Sequence, residues 1–342
     1  MEKTEIQEWY DHNKDQYAGL AAMMERLIET LLKENGIPYH SVGGRVKDKA
    51  SYAEKMIRKG YASPEEMMDI AGLRVITHTT AEVVRVCDLI EREFTVDKEN
   101  SGNKAADMGI DKVGYLSVHY IVKLSPDRVR FCEYARFDGL RCEIQVRSLL
   151  QHAWAEIEHD RGYKFAGVLP KEIQRKFYLV AGTLELMDQE FCALAGEIDR
   201  YAADVKEKTV QGDIQDIAID STSLLQFLNG FFSEQDTEML SQYYAPNSGE
   251  VIDELSRFGI ETLSQLKDLL SQKKPGNWLT DEAEGPTYIG ILRDAMILKD
   301  PKKYFESAWQ NRWSPLPLDV EDWRKLGVNL REVEKYIKLP SQ

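Results

Sequence analysis

The sequence predicts an α+β domain of strands flanked by helices, followed by a mostly α-helical region, and three observations carry that reading. Residues 141–147 alternate strictly, with Glu143, Gln145 and Arg147 set against Ile144 and Val146, the period of a strand with one buried face. Leu73–Thr77 is a short, apolar, β-branched run, which marks a buried strand. Residues 5–35 and a stretch of about 35 residues after Pro170 instead repeat apolar side chains at helical spacing. Beyond residue 210 only short helical patterns recur.

Length and charge frame what the chain can do. Its 342 residues suit two domains, 1–208 and 209–342. The 58 acidic residues outnumber 44 lysines and arginines, and the resulting net charge of −14 argues against a broad nucleic-acid-binding surface while leaving room for a local basic pocket. Cys87, Cys132, Cys142 and Cys192 form no CxxC pair, so neither zinc nor a disulfide framework is expected, and a reducing cytoplasm fits. The charged N-terminus lacks the apolar run of a signal peptide, and no stretch approaches the roughly 18 apolar residues of a membrane span.

The first helix presents Ile6, Trp9, Tyr17, Leu20, Met24, Leu27, Ile28, Leu31 and Leu32 on one side and stops at Asn35-Gly36. Ile37–Val42 reads as extended, and Gly43-Gly44 as a break. Arg45 and Lys47 then alternate on an extended segment, and Ser51 is the expected cap of a helix that carries Lys55 and ends at Gly60. These three cations suit either a polyphosphate grip or a solvated basic loop. Asp69 precedes the Leu73–Thr77 strand and Arg74 lies within it, which suits a metal ligand beside a cation platform, or an ion pair holding a turn.

Residues 80–93 read as a helix, Phe94–Asp97 as a strand, and the polar, aperiodic stretch 98–113 as a loop. A strand over Tyr115–Leu124 places Tyr115, Ser117 and His119 on one face. A tyrosine after a glycine at a strand mouth can stack on a base or simply pack, and His119 can bind phosphate or move a proton. A further strand is expected at Val129–Glu133. In the 141–164 stretch, a carboxylate, an amide and a guanidinium in a row suit a metal ion beside a polyphosphate, as well as an ordinary solvated face. Ser148 is the expected N-cap of the next helix, with Leu149, Leu150, Ala153, Trp154 and Ile157 as its apolar stripe and His152, Glu156 and His159 on another side. The helix after Pro170 carries Ile173, Phe177, Val180, Leu184, Met187 and Phe191. Helices are expected in the second domain at Ser221–Phe232, Glu234–Tyr244, Ser248–Phe258, Glu261–Leu270 and Tyr288–Leu298, with further helical pattern at Val320–Leu326 and Leu330–Ile337, and no chemical constellation among them.

Four blocks in order, RVKDK, DIAGLRVI, GYLSVHY and EIQVRSLLQHAWAEIEHDRGYK, resemble the synthetase domain of the RelA/SpoT family over roughly residues 35–200. Those enzymes move pyrophosphate from ATP onto the 3′-hydroxyl of GDP or GTP, making ppGpp and pppGpp. The resemblance implies a mixed, nucleotidyltransferase-like sheet. It also implies Arg45 and Arg74 around the adenine of ATP, and Lys47 and Lys55 on its phosphates. Asp69 and Glu143 become the Mg²⁺ carboxylates, with Glu143 also activating the 3′-hydroxyl. Tyr115 would stack on the guanine, while Lys112, His119, Gln145 and Arg147 line the acceptor side. Two carboxylates and a ring of cations suit a transfer that depends on positioning and charge neutralisation.

The approach to the tyrosine, GIDKVGYLSVH, lacks the proline and asparagine usual in the family, and Leu116 replaces a polar residue. The acceptor is therefore open: GDP or GTP first, or the 3′-end of tRNA, as in toxin-like relatives, with residues 209–342 as the restraint. A catalytically inactive nucleotide sensor is the third reading. The resemblance further implies a synthetase without the histidine–aspartate hydrolase domain of long members, and, since small members often assemble through helices, a homo-oligomer among the expected partners.

Overall fold

Among the described residues, 3–103, 117–164, 170–232, 244–274, 278 and 287–339, six strands build the first half of the chain. They are β1 (Ser41–Val46), β2 (Ala71–Thr77), β3 (Phe94–Val96), β4 (Gly102–Asn103), β5 (Val118–Leu124) and β6 (Cys142–Ser148). In the computed structural model they form one sheet in the order β1-β2-β6-β5-β3, with β4 paired to β5. β2 and β6 run parallel and every other pair antiparallel, so the sheet is mixed. This is the α+β architecture expected from the sequence.

The helices of this half are α1 (Lys3–Glu34), α2 (Lys49–Lys59), α3 (Thr80–Glu93), the short α4 (Cys132–Ala135), α5 (Leu149–Lys164) and α6 (Lys171–Gln211). α1 packs on β1 and β2, and α3 on β2 and β6. Together they cover one face of the sheet: Leu73, Val75, Ile144, Val146 and Val122 meet Leu20, Met24, Ile28 and Leu32 of α1 and Val86 and Ile90 of α3 in one buried cluster. Each such fully buried aliphatic side chain contributes about 1.5–3 kcal/mol. The opposite face, which carries the polar members of the alternation, is left to chemistry.

Several local expectations change. Gly43 and Gly44 lie inside β1 rather than breaking it. A Cβ on Gly44 would meet the Ala21 carbonyl oxygen at 2.9 Å, so the glycine lets α1 lie directly on the strand, and Gly44 N donates to Glu25 Oε2 at 2.8 Å. Asp48, not Ser51, caps α2, accepting from Ser51 N at 2.9 Å. The strand expected at Val129–Glu133 is a 3₁₀ turn (Arg128–Arg130) followed by α4. Its alternation pairs with no strand among the described residues; instead Arg128 N and Val129 N bond back to the Ser125 carbonyl, and Arg128 Nη2 ties to Glu93 Oε2 at 2.6 Å. Within the expected 98–113 loop, Gly102–Asn103 pairs with β5; residues 104–116 lie outside the described residues.

Two apolar stripes also differ. On α5 Trp154 alone among the side chains described is buried, with Leu150 packed beside it, while Ala153 and Ile157 are exposed. Trp154 sets the helix down on α6 at Ala181, Phe177 and Leu184, leaving Ile157 on the far side. Correspondingly α6 turns Ala181 and Asp188 inward, whereas Ile173, Val180, Met187 and Phe191 stay 42, 51, 46 and 48% exposed. Ser148 does cap α5, accepting from Gln151 N at 3.1 Å, and its own hydroxyl donates to the buried Asp188 of α6 at 2.5 Å.

The chain divides into two compact units, Met1–Ala195 and Gly196–Gln342. The second is helical, with helices at Ser221–Phe231, Tyr244–Phe258, Leu263–Leu270, Tyr288–Lys299, Pro301–Lys303, Pro317–Leu326 and Leu330–Val333 among the described residues. The helix expected at Glu234–Tyr244 lies almost wholly outside them. One turn occurs three times among the described residues of this unit. Gly212 (φ 79°), Gly259 (φ 83°) and Gly327 (φ 85°) each end a helix in the left-handed region, and the next residue bonds back across the turn, Asp213 N to Lys208 O, Ile260 N to Leu255 O and Val328 N to Trp323 O. Its core holds a buried ion pair: Glu254, fully buried, accepts from both Nε and Nη2 of Arg293 and from the Tyr304 hydroxyl. No helix among the described residues is long and apolar enough to cross a membrane.

Candidate active site

The strand registers bring distant polar residues onto the open face. Arg45 of β1 stands opposite Gly72 of β2, Gly72 opposite Glu143 of β6, Arg74 opposite Gln145, and Gln145 opposite His119 of β5. Residues directly opposite share a face, so two neighbouring rows, Arg45–Gly72–Glu143 and Gly43–Arg74–Gln145–His119, lie side by side across the sheet. A cavity of about 290 Å³ opens over them, lined among others by Gly43, Arg45, Gly72, Arg74, Glu143 and Gln145. The two glycines form a bare patch of floor between the arginines; the Arg45 side chain passes within 3.8 Å of where a Gly72 Cβ would sit.

At one end of these rows Asp69 precedes β2. Its Oδ2 lies 3.1 Å from Lys47 Nζ and 2.7 Å from Lys55 Nζ, so the two lysines singled out in the sequence converge on one carboxylate. Its Oδ1 is buried and has no hydrogen-bond partner among the described residues. Asp69 and Glu143 sit at the same end of two adjacent parallel strands, since Gly72 pairs with Glu143.

Glu143 is held from two sides. His119 Nδ1 lies 2.8 Å from its Oε1, and Gln145 Nε2 donates to its Oε2 at 3.0 Å. Arg147 Nη2 in turn donates to Gln145 Oε1 at 3.1 Å. The alternation on β6 is thus a continuous hydrogen-bonded ladder. Behind it, burial pushes the Cys142 thiol up to about 12, so that sulfur is an inert core group and not a nucleophile.

At the other end Arg74 Nη1 donates to Glu156 Oε1 on α5 at 2.9 Å. Burial, with Arg74 close by, holds both the Arg147 guanidinium and the His152 imidazole below their usual ranges. Arg147 Nε and His152 Nδ1 are buried without a hydrogen-bond partner among the described residues. Two guanidiniums close together, one with an open Nε donor, make a site suited to a polyanion.

Of the residues picked from the sequence, Arg45, Arg74, Glu143, Gln145, Arg147 and His119 share this face, and Lys47, Lys55 and Asp69 form a tight group beside it. Lys112 and Tyr115 lie outside the described residues. Sequence reasoning did not assign a role to Ser117, whose Oγ lies 2.6 Å from His119 Nε2, or to Glu156, which holds Arg74. Both left a faint signal, Ser117 as the residue two before His119 on one strand face and Glu156 one helical turn after His152.

Known proteins resemble the chain over these same residues. Residues 44–167 match the region found in RelA / SpoT proteins. The chain is 29% identical over 175 residues to GTP pyrophosphokinase YjbM of Bacillus subtilis (strain 168), covering 50% of this chain and 79% of that one. It is 25% identical over 177 residues to GTP pyrophosphokinase YwaC of the same organism, covering 47% and 76%. Among solved structures, small alarmone synthetase 1 from Bacillus subtilis bound to its product pppGpp is similar at 25% identity and a TM-score of 0.47, over 56% of this chain and 98% of that one. Over about half of its length the chain carries a RelA/SpoT-type synthetase domain similar to that of the small alarmone synthetases, together with a further C-terminal region.

Proposed function

We propose that the chain is a Mg²⁺-dependent pyrophosphokinase that transfers the β,γ-pyrophosphoryl group of ATP to the 3′-hydroxyl of GDP or GTP, the bond from the β-phosphorus to the bridging α-phosphate oxygen breaking as AMP leaves. The observation that carries this reading is the co-facial set Arg45, Arg74, Glu143 and Gln145 over one cavity, flanked by Asp69 with its two lysines. It agrees with the similarity to GTP pyrophosphokinases over the same residues.

In this reading Arg45 and Arg74 hold the adenine from either side, with the glycine floor leaving room for a planar base. Lys47 and Lys55 turn from Asp69 toward the phosphates as ATP enters. Asp69 and Glu143 are the residues that would hold Mg²⁺. The buried, unpartnered Asp69 Oδ1 fits that role, because Mg²⁺ takes one or two carboxylates and completes its shell with water and substrate phosphates. When bound, the ion neutralises phosphate charge. Glu143, fixed by His119 and Gln145, accepts the proton of the attacking 3′-hydroxyl. Arg147 and its open Nε serve the anionic acceptor side. Tyr115 is assigned to stacking on the acceptor base, and Lys112 to its phosphates.

The test offers ATP labelled at its β and γ phosphates with GDP, GTP, GMP and bulk tRNA in parallel. Label on GDP or GTP is the expected result. Label on tRNA alone, with transfer falling steeply as salt rises, would move the chain to the toxin-like reading, and no transfer to any acceptor would leave a nucleotide sensor.

A further inference from the structure

The proton-accepting role of Glu143 depends on which way its neighbours point, and the structure carries a specific arrangement for this. Ser117 Oγ, His119 Nε2, His119 Nδ1 and Glu143 Oε1 form an unbroken chain with separations of 2.6 and 2.8 Å. Ser117 and His119 are each only 8% exposed, and the Glu143 side chain only 14%, so water does not readily substitute for these partners. Strand placement builds it: Ser117 immediately precedes β5, His119 lies within it, and the β5–β6 pairing sets His119 opposite Gln145, diagonal to Glu143.

An ionised carboxylate only accepts hydrogen bonds, so the ring nitrogen facing Glu143 must carry a proton. A neutral imidazole then has a lone pair on the other nitrogen, and a serine hydroxyl can rotate to donate to it. We propose that Ser117 is a positioning residue: by donating to Nε2 it fixes His119 as the neutral Nδ1–H tautomer, which holds the Glu143 carboxylate in one orientation toward the reacting hydroxyl. Gln145 fixes the second oxygen in the same way. Neither Ser117 nor His119 needs to gain or lose a proton for this. The chain acts as the outer support of a reactive carboxylate, a kind of partner whose loss typically costs about 10–100-fold in activity.

The inference rests on the pyrophosphokinase reading only for its kinetic half. Long-range ¹H–¹⁵N spectra of the histidine rings, with the His119 signals identified by their absence in His119→Gln, read the tautomer whatever the chain catalyses. The Nδ1–H form is expected in the wild-type protein, giving way in Ser117→Ala to a mixture of tautomers, with Ser117→Thr, which keeps the hydroxyl, retaining the wild-type pattern. An Nε2–H or doubly protonated ring in the wild type, or an unchanged ring in Ser117→Ala, overturns the proposal. In the kinetic arm kcat is expected to fall about 10–100-fold in Ser117→Ala, with KM for ATP unchanged within about two-fold and kcat recovered in Ser117→Thr. A rise in KM with kcat intact would show that Ser117 merely shapes the pocket. Absence of transfer by the wild-type protein would count against the pyrophosphokinase reading, and the spectra alone would then decide the role of Ser117.

Discussion

Lys55 Nζ stands 2.7 Å from Asp69 Oδ2, linking α2 to the entrance of β2. The carboxylate is thus pre-positioned by the cations that would later share a polyanion with it. Asp69→Asn keeps the volume but removes the charge. Transfer is expected to fall by about 100-fold or more, the loss of a metal-ligand contact worth several kcal/mol. Lys47 and Lys55 are only 17 and 25% exposed, so loss of their shared counter-charge should also lower stability, by up to about 3 kcal/mol, which urea unfolding reads separately from turnover. Wild-type turnover with unchanged Mg²⁺ dependence would remove Asp69 from the metal site.

Glu156 separates positioning from contact. It holds Arg74, yet its side chain is 56% exposed and that of Arg74 is 32% exposed, so the pair is worth about 0.2–1 kcal/mol. Glu156→Gln is expected to raise KM for ATP by no more than about five-fold with kcat unchanged. Under the proposed function Arg74→Ala would lose a base contact worth about 0.5–2 kcal/mol, and should weaken ATP more than Glu156→Gln does while sparing the acceptor. Equal weakening of both substrates by Arg74→Ala would count against the adenine role.

Gly72 tests the glycine floor. A methyl there meets Arg45 at 3.8 Å, an ordinary contact, so Gly72→Ala should fold and keep most activity. Gly72→Val suits a strand but fills the part of the cavity assigned to the base under the proposed function. Its KM for ATP is expected to rise about ten-fold or more, with thermal stability kept. Isothermal titration with a non-hydrolysable ATP analogue reads this directly, and unchanged affinity would place the base elsewhere.

Asp294 predicts a pH effect in the second unit. Trp323 Nε1 donates to its Oδ1 at 2.7 Å, while burial, aided by Asp319 and Asp322, pushes its pKa up to about 7. A carboxyl raised in the folded state binds its proton more tightly there than when unfolded. Its contribution is therefore fully present below about pH 4 and is lost as pH rises to about 7. Asp294→Asn keeps an acceptor for Trp323 and should flatten this slope, raising stability at pH 8 by up to about 4 kcal/mol. Urea unfolding at pH 5 and pH 8 of both proteins measures it; parallel slopes would show that Asp294 is already ionised in the fold.

Elements whose period records their burial were legible before any fold was known. β6 could be read because Glu143, Gln145 and Arg147 alternate with Ile144 and Val146, and α1 because its apolar residues return every three or four positions onto the sheet. The candidate residues were legible as types, since a carboxylate or a guanidinium on a strand face carries its chemistry with it. Periodicity misled where no partner was available, as at Val129–Glu133, and where a helix chose its neighbour, as on α5 and α6, where packing of Trp154 against Ala181 decided the buried side. It took the folded chain to pair Gly72 with Glu143, to bring Lys47 and Lys55 onto Asp69, and to close the path from Ser117 through His119 to Glu143. Those contacts join residues as many as 71 positions apart, counting from Gly72 to Glu143 across one register. They follow from strand order and register, which are set by how the whole apolar surface is buried and not by any local pattern.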